Sequence, residues 1–409
     1  MQDIVIAKPY RFVPPRFSPF WARLTTGYLP AYLRKSHGVT SWECVGVERL
    51  RASLQAGAGV LLAANHCRPC DPMVVVGLLA RAANRPFHIM ASWHLFMQNR
   101  AQAFLLPRIG AFSVYREGLD RESLKCATRV LAEARFPLTL FPEGFVTRNN
   151  DRLLHLQEGV AFLARAAAKQ RAALPGGGKV VVHPVFLRYF FEGDLAATLE
   201  PVLRKIETRL SWQPQSQLPL RDRILKAGQA LLALKEIEYL GASQSGSVRE
   251  RLPRLLDQLL GPLEQEWSGG RRESDTIARV KRLRGALLPD LVNGELTEGE
   301  KARRWRQLTD LYFAQQLHCY SGDYLADDPA PERLLETVER YEEDLTDAAT
   351  PHPPLHVVIS VGEAIEAMPT RERNAEGDPL ANEVRSQLER MLAESKSHRR
   401  TSPTGANTR

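Results

Sequence analysis

Val60-Leu61-Leu62-Ala63-Ala64-Asn65-His66-Cys67-Arg68-Pro69-Cys70-Asp71-Pro72 is an apolar run that stops at a polar turn, and a second apolar run begins at Met73. The first run has the length and composition of a buried strand. Asp71 followed by Pro72 signals a helix start, with a carboxylate at the cap and proline in the first turn. Asn65, His66 and Asp71 therefore fall where a strand hands over to a helix, the place where open α/β sheets carry their reactive groups. His66 and Asp71 are five residues apart and would not face each other on one helix. Across a turn, the carboxylate can fold back onto the imidazole, fix its tautomer and leave the other nitrogen as a base. These residues by themselves also suit a plain helix cap and a turn histidine.

A second motif weighs against the plain reading. Phe141-Pro142-Glu143-Gly144 follows the apolar run Leu138 to Leu140, and Arg148 comes four residues later. Between the two motifs lies Gly110-Ala111-Phe112-Ser113-Val114-Tyr115-Arg116, and after them Val181-Val182-His183-Pro184-Val185. In order and spacing, over residues 39 to 192, these four stretches resemble the PlsC-type acyltransferases of glycerol phosphate and lysophospholipids. That family carries N-H-x-x-x-x-D, G-x-x-x-x-x-R, F-P-E-G and a late proline in an apolar strand.

The resemblance implies His66 as general base and Asp71 as its orienter, with the acceptor hydroxyl attacking a thioester directly and no acyl-enzyme. It implies a substrate-binding set of Asn65, Gly110, Arg116, Phe141, Pro142, Glu143, Gly144, Arg148 and Pro184. Guanidinium groups suit phosphate oxygens, which fits Arg116 and Arg148. The acyl donor is acyl-CoA or acyl carrier protein as co-substrate, with no cofactor and no metal. The sequence departs from the family at Phe145, Thr147 and Glu158, positions that bear on headgroup choice more than on the base.

Other patterns fall short of a site. Cys67-x-x-Cys70 beside His66 lacks the further paired ligands that zinc needs. Gly176-Gly177-Gly178-Lys179 lacks the spacing of a phosphate loop, and Gly57-Ala58-Gly59 lacks the third glycine of a dinucleotide fingerprint. Gly241-Ala242-Ser243-Gln244-Ser245 fails the nucleophile-elbow pattern at its last position.

The chain of 409 residues is 44% hydrophobic and 25% charged, an ordinary globular composition. Its five scattered cysteines argue against a disulfide framework and for a reducing compartment. No run approaches a transmembrane length, and the N-terminus lacks the apolar core of a signal peptide. The net charge of +8 is unevenly placed. Residues 1–192 hold 25 Lys/Arg against 12 Asp/Glu, and residues 193–350 hold 22 against 27. A basic half suits lipid headgroups, phosphorylated acceptors and coenzyme A. No zinc-finger, homeodomain or RNA-recognition signature accompanies it, so no nucleic-acid partner is expected.

The segment 17–35 mixes aromatic residues and cations around Pro30, which is expected to interrupt any helix there. Residues 1–38 read as an interfacial segment at a membrane surface, or as a helix packed on the protein. Residues 39–192 alternate strand and helix, including a helix from His94 to Leu106 that ends before Pro107. This alternation predicts an α/β fold with a mixed, largely parallel sheet flanked by helices. From 193 to 350 leucines recur at helical spacing, as at Val248, Leu252, Leu255, Leu259 and Leu263. Thr297 with Glu300 reads as a capping box for a helix carrying Trp305, Leu308 and Tyr312. A strand signal returns at Leu355 to Val361, so 193–350 reads as a large helical insertion before the last strand. Residues 351–394 then supply the closing strand and a helix, and 395–409 reads as a disordered tail.

The expected function is transfer of a fatty acyl group to a lysophospholipid hydroxyl, with 1-acyl-glycerol-3-phosphate as the leading acceptor. Another lyso-lipid or an aminolipid is the alternative within the class. A non-catalytic lipid-binding scaffold is the alternative outside it. The expected location is the cytoplasm or the cytoplasmic face of a membrane.

Overall fold

The computed structural model describes residues 9–294, 296–320, 322–326, 328–346, 350–370 and 377–398. The distal part of the tail, 399–409, lies outside them, while Ser395–His398 forms a short 3-10 turn. The chain divides into two compact units: one is 12–114, 120–193 and 351–409, and the other is 1–11, 115–119 and 194–350.

The first unit is a mixed, mostly parallel sheet flanked by helices. Its strands are β1 (Val39–Val45), β2 (Gly59–Ala64), β3 (His88–Ser92), β4 (Ala111–Val114), β5 (Leu138–Leu140), β6 (Val180–Phe191), β7 (Leu355–Val361) and β8 (Ile365–Glu366). They lie in the order β1-β7-β6-β2-β5-β3-β4, with β8 on β6. β7 runs parallel to β1 and antiparallel to β6. β2, β5 and β6 are buried along their whole length. That is why they read as unbroken apolar runs rather than alternating ones. β2 pairs in parallel with both β5 and β6. The chain therefore leaves β2 at Asn65 and β5 at Phe141 on the same edge of the sheet.

The core on one side joins Leu61, Phe112, Leu131, Leu138, Ala164 and Leu388. It draws on the helices Arg121–Glu133, Gly159–Ala172 and Pro379–Glu394. The helix that opens at Asp71 runs over 71–83 and widens to a π-helix at Val74–Leu79. At Gly77 a Cβ would lie 1.9 Å from Leu29 Cδ2, so glycine admits a leucine of the N-terminal helix there.

Two helices differ from the sequence expectation. Pro19–His37 continues through Pro30, which gives up one helical N–H and crowds the carbonyl a turn back without ending the helix. The expected helix from His94 splits into a 3-10 turn at Trp93–Phe96 and a helix Arg100–Arg108 that includes Pro107. Asn99 divides them: its side chain accepts the Gln102 N–H at 2.8 Å and caps a new helix.

The second unit contains the helices Leu195–Arg209, Leu220–Leu240, Val248–Ser268, Thr276–Asn293, Glu298–His318 and Pro331–Thr346. Leu252, Leu255, Leu259 and Leu263 are buried, as their spacing implies. Three successive corners share one device. A buried glutamate late in one helix holds a buried arginine early in the next through both carboxylate oxygens. The pairs are Glu207 with Arg223 at 2.6 and 2.8 Å, Glu236 with Arg251 at 2.8 and 2.6 Å, and Glu264 with Arg279 at 2.7 and 2.9 Å. In the first two, the same glutamate also accepts a loop N–H, from Gln215 and Gln244. The first four of these helices thus repeat one corner closed by a bidentate ion pair. Ser247 and Glu250 form the full capping box. At Thr297 only the hydroxyl caps, since the Glu300 carboxylate turns to Arg303 and Arg304 instead.

Candidate active site

His66 follows β2 and Asp71 opens the next helix. The turn between them brings His66 Nδ1 to 3.0 Å from Asp71 Oδ2. The His66 side chain is 12% exposed and that of Asp71 is fully buried. A neutral imidazole in this contact carries its proton on Nδ1, facing the carboxylate, and its lone pair on Nε2. Asp71 Oδ2 also accepts the Arg68 N–H at 2.7 Å, which closes the turn. Asp71 Oδ1 accepts the Tyr189 hydroxyl at 2.6 Å. The Phe141 ring lies against the imidazole, with centroids 4.3 Å apart at 31°.

The main chain of His66 is held on both sides by the loop that follows β5. Glu143 Oε1 accepts the His66 N–H at 2.8 Å, and Glu143 Oε2 accepts the Leu154 N–H at 3.1 Å. The His66 carbonyl accepts the Thr147 N–H at 2.8 Å and the Thr147 hydroxyl at 3.1 Å. Glu143 is 1% exposed. Burial pushes its carboxyl up to about 7; the two N–H bonds and, more weakly, Arg385 act the other way, and Asp71 adds to the rise. Glu143 therefore ties the two motifs together through the backbone.

Gly144 has φ of +81°, and a Cβ there would lie 2.1 Å from Gln157 Nε2. Its N–H closes the turn onto the Phe141 carbonyl, while the Pro142 carbonyl accepts the Gln157 N–H. Glycine is the residue that fits both the left-handed backbone and the close approach. Arg148 also takes a positive φ, +56°, a costly conformation for a residue with a Cβ. It stands between Thr147 and Asn149, both buried.

Asn65 is buried, and its amide bonds both ways to β6: Nδ2 to the Leu187 carbonyl at 3.1 Å and Oδ1 from the Leu187 N–H at 2.7 Å. Asn150 does the same two residues on, to the carbonyl and N–H of Tyr189 at 2.6 and 2.7 Å. β2 pairs with β6 only as far as Val185. Beyond it, two asparagine amides stand in for a strand edge and satisfy backbone groups that are costly to leave unpaired. Pro184 sits on β6 opposite Ala63, and its carbonyl accepts the Gly362 N–H. Gly110 has φ of +97°, and a Cβ there would lie 2.8 Å from the Phe87 carbonyl.

The structure brings together His66, Asp71, Asn65, Phe141, Pro142, Glu143 and Gly144. Arg116 belongs to the helical unit. It lies beside Glu117, which pairs with Arg284 at 2.9 Å. Burial lowers the Arg116 guanidinium, with Glu117 opposing. Burial also pushes the Cys70 thiol up to about 12, which disfavours the thiolate. Sequence reasoning missed Tyr189, Asn150 and the part played by Thr147. The available signal was a phenol inside the otherwise apolar run of β6.

A mostly parallel sheet carries a histidine–carboxylate pair beyond its strand ends, braced by a loop from the neighbouring strand, the usual place for reactive groups in an open α/β fold. Residues 42–188 match the acyltransferase family model, and this stretch is an acyltransferase domain of the PlsC type. Comparison with curated proteins gives no match.

Proposed function

We propose that the enzyme moves a fatty acyl group from coenzyme A or acyl carrier protein to the hydroxyl of a lysophospholipid, with 1-acyl-glycerol-3-phosphate as the leading acceptor. The observation that carries this reading is the His66–Asp71 contact at 3.0 Å within an acyltransferase domain. In the proposed reaction the acceptor hydroxyl gives its proton to His66 Nε2 as its oxygen attacks the thioester carbonyl. Asp71 holds Nδ1–H and stabilises the imidazolium that forms. The tetrahedral intermediate collapses, the C–S bond breaks, and the leaving thiolate takes the proton back from Nε2. The products are an ester and a free thiol.

Arg148 and Arg116 are assigned to the acceptor phosphate by their motif positions. A glycerol-phosphate acceptor carries the doubly charged headgroup that guanidinium pairs favour. Replacing Arg116 with alanine is expected to raise the acceptor KM and leave kcat closer to wild type.

The proposed place of action is a membrane surface. Phe20, Leu24, Tyr28 and Tyr32 are spaced by four along Pro19–His37, and all are exposed. Arg23, Arg34 and Lys35 are exposed on the same helix. Such a helix lies well among headgroups, with rings in the interface and cations near phosphate. Among the described residues, no helix is long and apolar enough to cross a membrane.

The test is release of free thiol from acyl-CoA in the presence of mixed lyso-lipids, with the new lipid identified by mass spectrometry. The reading expects thiol release that needs both substrates and His66. Binding of both without release supports the scaffold reading instead. Flotation with anionic vesicles tests the surface, and wild-type binding by a Phe20→Ser/Tyr28→Ser variant would remove it.

A further inference from the structure

Tyr189 is the residue that completes the His66–Asp71 pair. It sits on β6, a fully buried strand, and its hydroxyl donates to Asp71 Oδ1 at 2.6 Å. Asp71 Oδ2 receives His66 Nδ1 at 3.0 Å and the Arg68 N–H at 2.7 Å. The tyrosine bond fixes the second oxygen, hence the plane of the carboxylate. Were that oxygen free to swing, Oδ2 would hold the imidazole in less well-defined geometry. A hydrogen bond to a buried charge is also stronger than one in water.

The backbone of Tyr189 is fixed as firmly as its side chain. Asn150 binds both its N–H and its carbonyl, at 2.7 and 2.6 Å. Asn150 comes from the loop that also carries Thr147, which binds the His66 carbonyl. One loop therefore sets both ends of a chain of contacts running Tyr189–Asp71–His66. The Arg68 guanidinium stands 5.4 Å from the Tyr189 ring centroid, and Cys70 Sγ is 3.5 Å from the hydroxyl. Burial, with Asp71 adding to it, holds the phenol well above its ordinary value, which favours the protonated, donating form.

We infer that Tyr189 is a positioning residue of the reaction, holding Asp71 so that His66 presents Nε2 to the acceptor, and that its hydroxyl tempers the basicity of His66. Withdrawing this donor leaves more of the Asp71 charge facing the imidazole. The imidazolium is then better stabilised, and the His66 titration moves to higher pH. Other charged or titratable groups near this pair are Arg68, Cys67, Cys70, His37 from the N-terminal helix, and Glu143, the last through the His66 N–H. A Tyr189→Phe variant keeps the whole ring and all of these side chains, and only Cys70 also loses its contact with the hydroxyl.

The kinetic consequence rests on His66 being the base, but the titration does not. The experiment follows the His66 ring by nuclear magnetic resonance in the full-length protein, with His66→Gln assigning the signal. In Tyr189→Phe the titration is expected to shift upward, and kcat to fall by about 10- to 100-fold with the acceptor KM within about threefold. Biosynthetic 3-fluorotyrosine makes the phenol a stronger donor without altering the fold, and is expected to shift the titration downward. An unmoved His66 titration in both samples, or a kcat within twofold of wild type in folded Tyr189→Phe, overturns the inference. Shifted titrations in a protein that releases no thiol from acyl-CoA support the Tyr189 contact and remove the proposed function.

Discussion

Glu143 Oε1 accepts the main-chain N–H of His66 at 2.8 Å, so the carboxylate of the second motif holds the histidine of the first by its backbone rather than by its ring. Its other oxygen holds Leu154, and the residue is 1% exposed. A carboxylate is suited to this because it only accepts, and here it faces two donors.

Glu143→Gln follows directly. An amide can accept one of the two N–H groups but must turn an NH₂ toward the other. The variant is expected to lose about 2 kcal/mol of stability and at least tenfold in kcat, since the backbone of His66 is released. Steady-state kinetics and chemical unfolding of the purified variant check both.

Burial raises the Glu143 carboxyl from 4.5 to about 7. The folded state then binds its proton more tightly than the unfolded state does. This contribution to stability is full below about pH 4.5 and is lost as pH rises through about 7. Thermal unfolding across pH 4 to 8 should show it as a wild-type advantage over Glu143→Gln that declines with rising pH. A difference that stays flat over that range contradicts the raised carboxyl.

His66→Ala is expected to lower kcat by about 10²- to 10⁴-fold, the range that a positioned general base supplies. Asp71→Asn should fall within the same range. An asparagine can accept at one oxygen but cannot receive His66, Arg68 and Tyr189 together as the carboxylate does. Acyl transfer by either variant at the wild-type rate would remove the pair from the mechanism.

Asn150→Ala removes two bonds to the backbone of Tyr189 and leaves a buried N–H and carbonyl unpaired. A loss of about 2 kcal/mol or more is expected in urea unfolding. Asn65→Ala removes the matching two bonds at Leu187, whose carbonyl keeps the Cys67 thiol at 3.9 Å, and should cost a similar amount.

Arg251→Ala strands Glu236, which is fully buried, without its bidentate partner. The expected loss is about 3 kcal/mol, and replacing both residues by apolar ones should recover most of it. The double variant separates the cost of an unpaired charge from the worth of the pair.

Much of the sheet was legible because parallel strands buried on both faces announce themselves as short apolar runs bounded by turns. β2, β5 and β7 lie within a residue or two of where those runs place them. The errors came where a local signal competed with another. Pro30 looked like a break, yet the helix runs through it, with Leu29 packed over Gly77. Asn99 looked like a helix interior, yet it caps. The glutamate–arginine corners at intervals of 15 or 16 residues were present in the sequence as a repeat, hidden among many other charges.

For the site, the residues near each other in sequence were readable and those brought from afar were not. His66 and Asp71 share one turn, so their spacing implied their contact. Tyr189 is 118 residues from Asp71, and Asn150 is 39 from Tyr189, separations over which no local pattern operates.

The sequence by itself determined the kinds of groups available: an imidazole, a carboxylate just past its turn, a glutamate–glycine turn after another strand, and the apolar runs that make a sheet. Only the tertiary structure decided what those groups do to one another. It aimed Glu143 at a backbone N–H and gave Asp71 a buried phenol. It also placed Arg116 in the helical unit. The physical reason is that side-chain chemistry is fixed by composition. Burial and hydrogen-bond partners depend on which strand ends meet, and that is set by the packing of the sheet as a whole.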